Sequence, residues 1–175
     1  MPLKHLPKKP NIVLIITDQE REVMHWPEGW AEANLPARSR LMEHGLRFAN
    51  AYCNSATCSP SRAGLLTGRY PHNNGMLGLA HRGFRLDNYH HHLVHTLRPA
   101  GYNSTLIGVQ HIAQDPEMIG YDRCVKAATD RVEHVAPAAV NFLDTPPEEP
   151  FFLSVGFTEV HRDFLPPGKA PADSR

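Results

Sequence analysis

The chain has 175 residues, the length of one ordinary domain, enough to bury about two-thirds of the surface its unfolded form exposes. Lys+Arg and Asp+Glu are each 18, so the formal net charge is +0 and the electrostatic footprint of a nucleic-acid or anionic-membrane binder is missing. A charged fraction of 21% beside 41% hydrophobic residues argues against a disordered chain, and 3 cysteines argue against a disulfide scaffold.

Met1–Pro10 is basic and broken by prolines, and residues 1–9 read as an N-terminal extension. The apolar run Ile12–Ile16 is too short for a signal core or a membrane span, so the expectation is a soluble, cytoplasmic protein. Asn11–Thr17 (NIVLIIT) is continuous and β-branched, the pattern of a strand buried on both faces. It ends abruptly at the polar stretch Thr17–Glu20. Trp26–Leu35 contains Pro and Gly and reads as a loop, with Trp26 and Trp30 packing it. Pro36–His44 fits a short helix, with Pro in the first turn and Gly45 after the last. Arg47–Tyr52 predicts a short strand.

Cys58–Leu66 reads as a loop entering a helix. Ser59 is placed to cap it, Pro60 suits its first position, and Ala63, Leu65 and Leu66 give it an apolar face. His92–Ala100 predicts a helix stopped at Gly101, and Thr105–Val109 a second buried strand. Arg131–Leu143 is an amphipathic helix pattern, followed by the Pro/Glu break Asp144–Pro150. Phe151–Phe157 (FFLSVGF) predicts a third strand, running into the polar Thr158–Arg162. The tail Pro166–Arg175 is Pro-rich and supplies no closing element.

Alternating β and α elements predict an α/β fold, with a parallel or mixed sheet and helices on both faces. Ligand groups in such folds sit at the carboxyl ends of strands. Three strand ends carry metal- or anion-capable side chains: Asp18 with Gln19, then His111, then His161. The run His90-His91-His92 with His95 lacks the spacing of a closed zinc site and reads as a solvated helix start. Cys53 and Cys124 read as inert core thiols.

The most informative stretch is Cys58-Ser59-Pro60-Ser61-Arg62, followed by Leu65-Leu66-Thr67-Gly68-Arg69. It resembles the sulfatase signature C-x-P-S-R with a downstream L-T-G-R. Four fixed residues in five arise by chance in about one chain of this size per thousand. The resemblance extends along the chain in order. Pro10–Gln19 looks like the family's first strand, and Leu41–Tyr52 like the helix and strand before the signature. Ala100–His111 resembles the segment ending in G-K-x-H, and Pro150–Arg162 the segment P-F-F-L…P-H-R.

The resemblance implies an alkaline-phosphatase-like α/β domain that hydrolyses a sulfate ester or sulfamate on a carbohydrate, nearest to heparan N-sulfatases and bacterial carbohydrate sulfatases. It implies that a formylglycine-generating maturation enzyme oxidises Cys58 to Cα-formylglycine (3-oxoalanine), whose hydrated diol attacks sulfur. Arg62 would lie against the modified residue, His111 would hydrogen-bond it, and His161 would contact sulfate or the leaving oxygen. Asp18, Gln19 and the modified Cys58 would hold Ca²⁺ or Mg²⁺, hard cations that suit oxygen ligands.

Two departures stand out. Val109 occupies the place of the G-K-x-H lysine. The family's second metal pair lies towards the C-terminus, and after Asp163 only Asp173-Ser174 comes near it, in the wrong context. Residues 10–175 therefore read as the N-terminal portion of a sulfatase catalytic domain, incomplete at its C-terminus. Two rivals remain: a phosphodiester or phosphonate monoester hydrolase of the same superfamily, and an inactive fragment that serves only as an interaction module.

Overall fold

Four short strands carry the β-branched and aromatic runs: β1 (Ile12–Ile16), β2 (Asn103–Gly108), β3 (Arg123–Val125) and β4 (Phe151–Gly156). The computed structural model describes residues 9–20, 26–147 and 150–162. The strands form one sheet in the order β1-β4-β2-β3, with every pairing parallel. β4 lies in register between two neighbours: Leu153 faces Val13 on one side and Thr105 on the other. Parallel pairing brings the carboxyl ends of β1, β4 and β2 to one rim, as the α/β reading requires.

The helices are α1 (Trp30–Asn34), α2 (Pro36–His44), α3 (Cys58–Thr67), α4 (Pro71–Asn74), α5 (Leu93–Leu97) and α6 (Val132–Asp144). Period-2 alternation splits the sheet into two apolar faces. On one, Leu106 and Phe152 pack with Ala63 and Leu66 of α3 and Val94 of α5. On the other, Ile107, Phe151, Leu153 and Val155 pack with Val135 and Phe142 of α6. Helices thus cover both faces, but unevenly. Val13 and Ile15 share the α6 face through their register with Leu153 and Val155, yet remain 43% and 59% exposed. The expected burial of β1 on both faces is therefore not met: one face is half-buried and the other exposed, as β1 lies at the end of the described sheet.

Other expectations need correction. Trp26–Leu35 is not all loop, since α1 forms within it; Trp26 and Trp30 do pack, edge to face at 5.0 Å. Arg47–Tyr52 forms no strand. It joins none of the sheet's ladders among the described residues, and Phe48 and Tyr52 stand exposed. The α5 helix stops at Leu97 and tightens into a 3-10 turn over Arg98–Ala100, since Pro99 has no N–H to continue the ladder. β3, too short and polar to show a period, went unpredicted. His92 is fully buried and accepts a hydrogen bond from the Val94 N–H at 3.2 Å, so the histidine run is solvated only in part. Cys53 is exposed and Cys124 half-buried, so neither is a fully buried core thiol. The tail Pro166–Arg175, with Asp173-Ser174, lies outside the described residues. Among the described residues, no helix is long and apolar enough to cross a membrane.

Candidate active site

Three chain segments meet at the strand-end rim. The first is the exit of β1. Asp18 follows the strand directly and is 5% exposed. Its N–H donates to the Glu159 carbonyl at 3.0 Å, which ties the β1 exit to the chain beyond β4.

The second is the start of α3, which begins at Cys58 with Thr57 as its cap residue. The Ser61 N–H donates to the Thr57 carbonyl at 3.0 Å as the first turn closes. Pro60 sits in that turn, where a missing N–H costs nothing. Ser59 is not the cap expected from sequence. It is 1% exposed, and its hydroxyl accepts from the Ala80 N–H at 3.1 Å. Arg62, one turn on, is 5% exposed. Its Nη1 donates to the Val109 carbonyl at 3.3 Å, and its Nη2 lies 3.8 Å from Asp18 Oδ2.

The third is the exit of β2. After Gly108 the chain turns sharply, and His111 adopts φ +58°, a region that a side chain with a β-carbon enters only under constraint. This brings His111 Nδ1 within 3.2 Å of Asp18 Oδ2. Ligand-capable atoms of Asp18, Cys58 and His111 all lie within 4.8 Å of one another.

Among the described residues, three buried polar atoms at this point have no hydrogen-bond partner: Asp18 Oδ2, Arg62 Nη2 and His111 Nδ1. The close Asp18–His111 approach lacks hydrogen-bond geometry, so it does not satisfy either atom. Each buried orphan costs about 1–3 kcal/mol, and three around one point mark a place built for something else. A carboxylate oxygen there fits a hard divalent cation. A free guanidinium N–H beside it fits an anionic oxygen.

The electrostatics agree. Burial pulls the Arg62 pKa below its usual value, while Asp18 and Cys58 act in the opposite direction. An arginine stays charged regardless. Burial, then the Arg62 charge, lowers the His111 pKa, with a smaller lowering from His161; Asp18 and Asp130 oppose it. His111 is therefore biased towards the neutral imidazole, with one nitrogen free to accept.

Two expected site residues stand differently. The Gln19 amide oxygen accepts from the Arg162 N–H at 2.9 Å, and the residue is exposed at φ +57°. Only its second lone pair remains for a cation. His161 is exposed on the rim, its N–H bonded to the Thr158 carbonyl at 2.9 Å, near enough to act on His111 by charge alone. Sequence reading missed Asp130, whose carbonyl accepts from both the N–H and the hydroxyl of Thr158 at 3.2 and 3.1 Å. Its only signal is its place in the loop before α6. A cavity of about 360 Å³ adjoins the cluster, lined by Ser59, His81, Gln110, His111 and Gln114.

Comparison with known proteins bears on this arrangement. The sulfatase family model matches residues 10–174. The chain is 34% identical over 134 residues to an N-acetylgalactosamine-6-O-sulfatase of Bacteroides thetaiotaomicron, covering 75% of this chain and 24% of that protein. It is 32% identical over 135 residues to human N-sulphoglucosamine sulphohydrolase, covering 73% and 27%. Among solved structures it resembles BT4656 in complex with its substrate D-glucosamine-2-N,6-O-disulfate, at TM-score 0.69 and 24% identity over 91% of this chain and 36% of that one. That likeness is of fold, the alkaline-phosphatase-like α/β arrangement. The chain spans about a quarter of the length of the curated relatives it matches. On the family match over nearly its whole length, the chain belongs to the sulfatase family.

Proposed function

We propose that the protein carrying this chain hydrolyses a sulfate ester or sulfamate on a carbohydrate, using a formylglycine formed from Cys58 and a divalent cation held at Asp18. The supporting observation is the convergence of Asp18 Oδ2, Arg62 Nη2 and His111 Nδ1, all buried and without a hydrogen-bond partner among the described residues, beside Cys58 at the start of α3. Both curated relatives described above are named for removal of sulfate from an amino sugar. The cavity of about 360 Å³ beside His111 gives such a ring a place to lie.

The parts divide the work. Formylglycine formed at residue 58 would supply, as its hydrate, an oxygen nucleophile towards sulfur. The cation, Ca²⁺ or Mg²⁺, supplies Lewis acidity towards the sulfuryl oxygens. Asp18 brings the one buried negative charge for that cation, and Gln19 offers a neutral oxygen from the same turn. Arg62 offsets the charge on Asp18 and keeps one N–H free for an anionic oxygen. The Val109 carbonyl holds the other side of that guanidinium. His111, biased to neutral, has a ring nitrogen that would accept a proton at residue 58, becoming the imidazolium beside Asp18. His161 reaches from the rim towards the leaving group. Residues 10–175 form the N-terminal portion of the catalytic domain in this reading, and 1–9 an extension before it.

The test is chemical. The protein is produced together with a formylglycine-generating enzyme, and the peptide containing residue 58 is weighed. Conversion of thiol to aldehyde removes about 18 Da. The converted protein is then offered an aryl sulfate and an aryl phosphodiester, with and without a chelator. Conversion, preference for the sulfate and chelator sensitivity are expected. Full turnover with an intact thiol would sink the formylglycine assignment, and a clear preference for the phosphorus substrate would move the protein to the rival class.

A further inference from the structure

The segment that carries His111 is fastened at both ends. At its start, β2 and β4 approach too closely for any side chain. A Cβ on Gly156 would lie 1.9 Å from the Val109 carbonyl oxygen, and one on Gly108 would lie 2.2 Å from the Gly156 carbonyl oxygen. The Val109 N–H donates to Gly156 at 3.0 Å across that contact. At the far end, the Tyr89 hydroxyl donates to the Ile112 carbonyl at 3.0 Å.

Gln110 spans the interval. Its Oε1 accepts from the Ile112 N–H at 2.5 Å and the Ala113 N–H at 2.9 Å. Its Nε2 donates to the Ala113 carbonyl at 2.6 Å. Ile112 is 0% and Ala113 5% exposed, so water does not replace these bonds. One side-chain amide thus satisfies three main-chain groups of a turn that carries no ladder of its own. His111 lies inside that turn at φ +58°, a conformation that persists only where the surroundings over-determine it.

We infer that Gln110 is the positioning residue of this site: its amide locks the 110–113 turn and so holds the His111 ring against Asp18 and Cys58. The inference rests on the reading of this rim as the active site. The chemistry demanded is specific. The group must be flat, accept twice on one atom and donate from the next. Glutamine does this at any pH near neutrality; glutamate accepts twice but has no proton to donate to Ala113. Asparagine has the right groups on an arm one methylene shorter.

The experiment uses the whole 175-residue chain with isotope-labelled histidine rings, at one fixed pH. In Gln110→Ala, the His111 ring resonances are expected to move by more than a linewidth, while those of His44 on α2 and His72 on α4 stay in place. Gln110→Met removes all three bonds at nearly the same side-chain length and adds no charge, so a displacement in the same direction is expected. Gln114→Ala, which lines the same cavity, should leave the His111 ring where it is. A folded Gln110→Ala chain with an undisturbed His111 ring overturns the inference. Should the alanine variant fail to fold, Gln110→Met decides: a displaced His111 ring in an otherwise unchanged spectrum supports it, and an unmoved one overturns it. The ring readout needs neither sulfate hydrolysis nor an oxidised Cys58, so failure of the proposed activity would be seen separately.

Discussion

Helix α2 has 9 residues, Pro36 at its head and Gly45 after its end, and buries none of them. Helix α3 has 10 residues, Pro60 in its first turn and Gly68 after its end, and buries Ser59, Pro60, Arg62, Ala63, Gly64 and Leu66. The same local signals open and close both. What separates them is where the neighbouring chain runs. α3 lies over the sheet face that carries Leu106 and Phe152, with its first turn aimed at the strand-end rim. α2 rests beside α1 at the periphery, with Leu41 71% exposed. Burial of α3 converts an ordinary helix start into a place where a half-buried Cys58 meets a buried carboxylate and a buried guanidinium.

Substitutions can break or sharpen that contrast. The largest effect is expected at Arg62. Arg62→Ala strips the cation from beside a buried Asp18 and should cost about 4 kcal/mol of stability in urea denaturation. A loss below that of an ordinary surface change would mean that the Asp18–Arg62 approach does not support the fold. Next come two effects of similar size. Leu66→Ala, at a site 4% exposed, should cost about 3 kcal/mol.

Acid should loosen the same core through His92. Burial holds its pKa at about 4, against an ordinary 6.5. The fold requires the neutral ring, so this contribution is complete above pH 6.5 and is lost as pH falls towards 4. The loss should reach on the order of 3 kcal/mol by pH 4. Asp122, whose carboxyl is held below its ordinary 3.8, loses its contribution only at still lower pH. A urea midpoint that stays flat between pH 7 and pH 4.5 would remove His92 from this account. The smallest effect is the sharpest comparison: Leu41→Ala on α2, chemically the same change as at Leu66, should cost under about 0.5 kcal/mol.

Much of this was legible in the residues. The β-branched run before Asp18 announced β1, and Phe151–Phe157 announced β4, because an apolar stretch of that length needs a sheet. The spacing of Cys58, Pro60, Ser61 and Arg62 announced the family, and the polar residues at three strand ends announced a rim. The misses share a cause. β3 is three residues long and exists only because β2 offers it a ladder. Arg47–Tyr52 has strand-like residues but joins no ladder among the described residues. Ser59 looked like a cap, yet its hydroxyl serves Ala80, twenty-one residues away, a bond that spacing along the chain does not encode.

By itself, then, the amino-acid order determined the α/β plan with a parallel or mixed sheet, the positions of Asp18, Cys58 and His111 at element ends, and the family to which they belong. Periodicity, punctuation by Gly and Pro, and a rare five-residue string are all local properties. Only the tertiary structure decided that Arg62 reaches Asp18, that Gln19 turns its oxygen towards Arg162, and that the Gln110 amide closes the turn bearing His111. These are hydrogen bonds and close approaches made after the strands align, between groups whose pairing is set by distance in space.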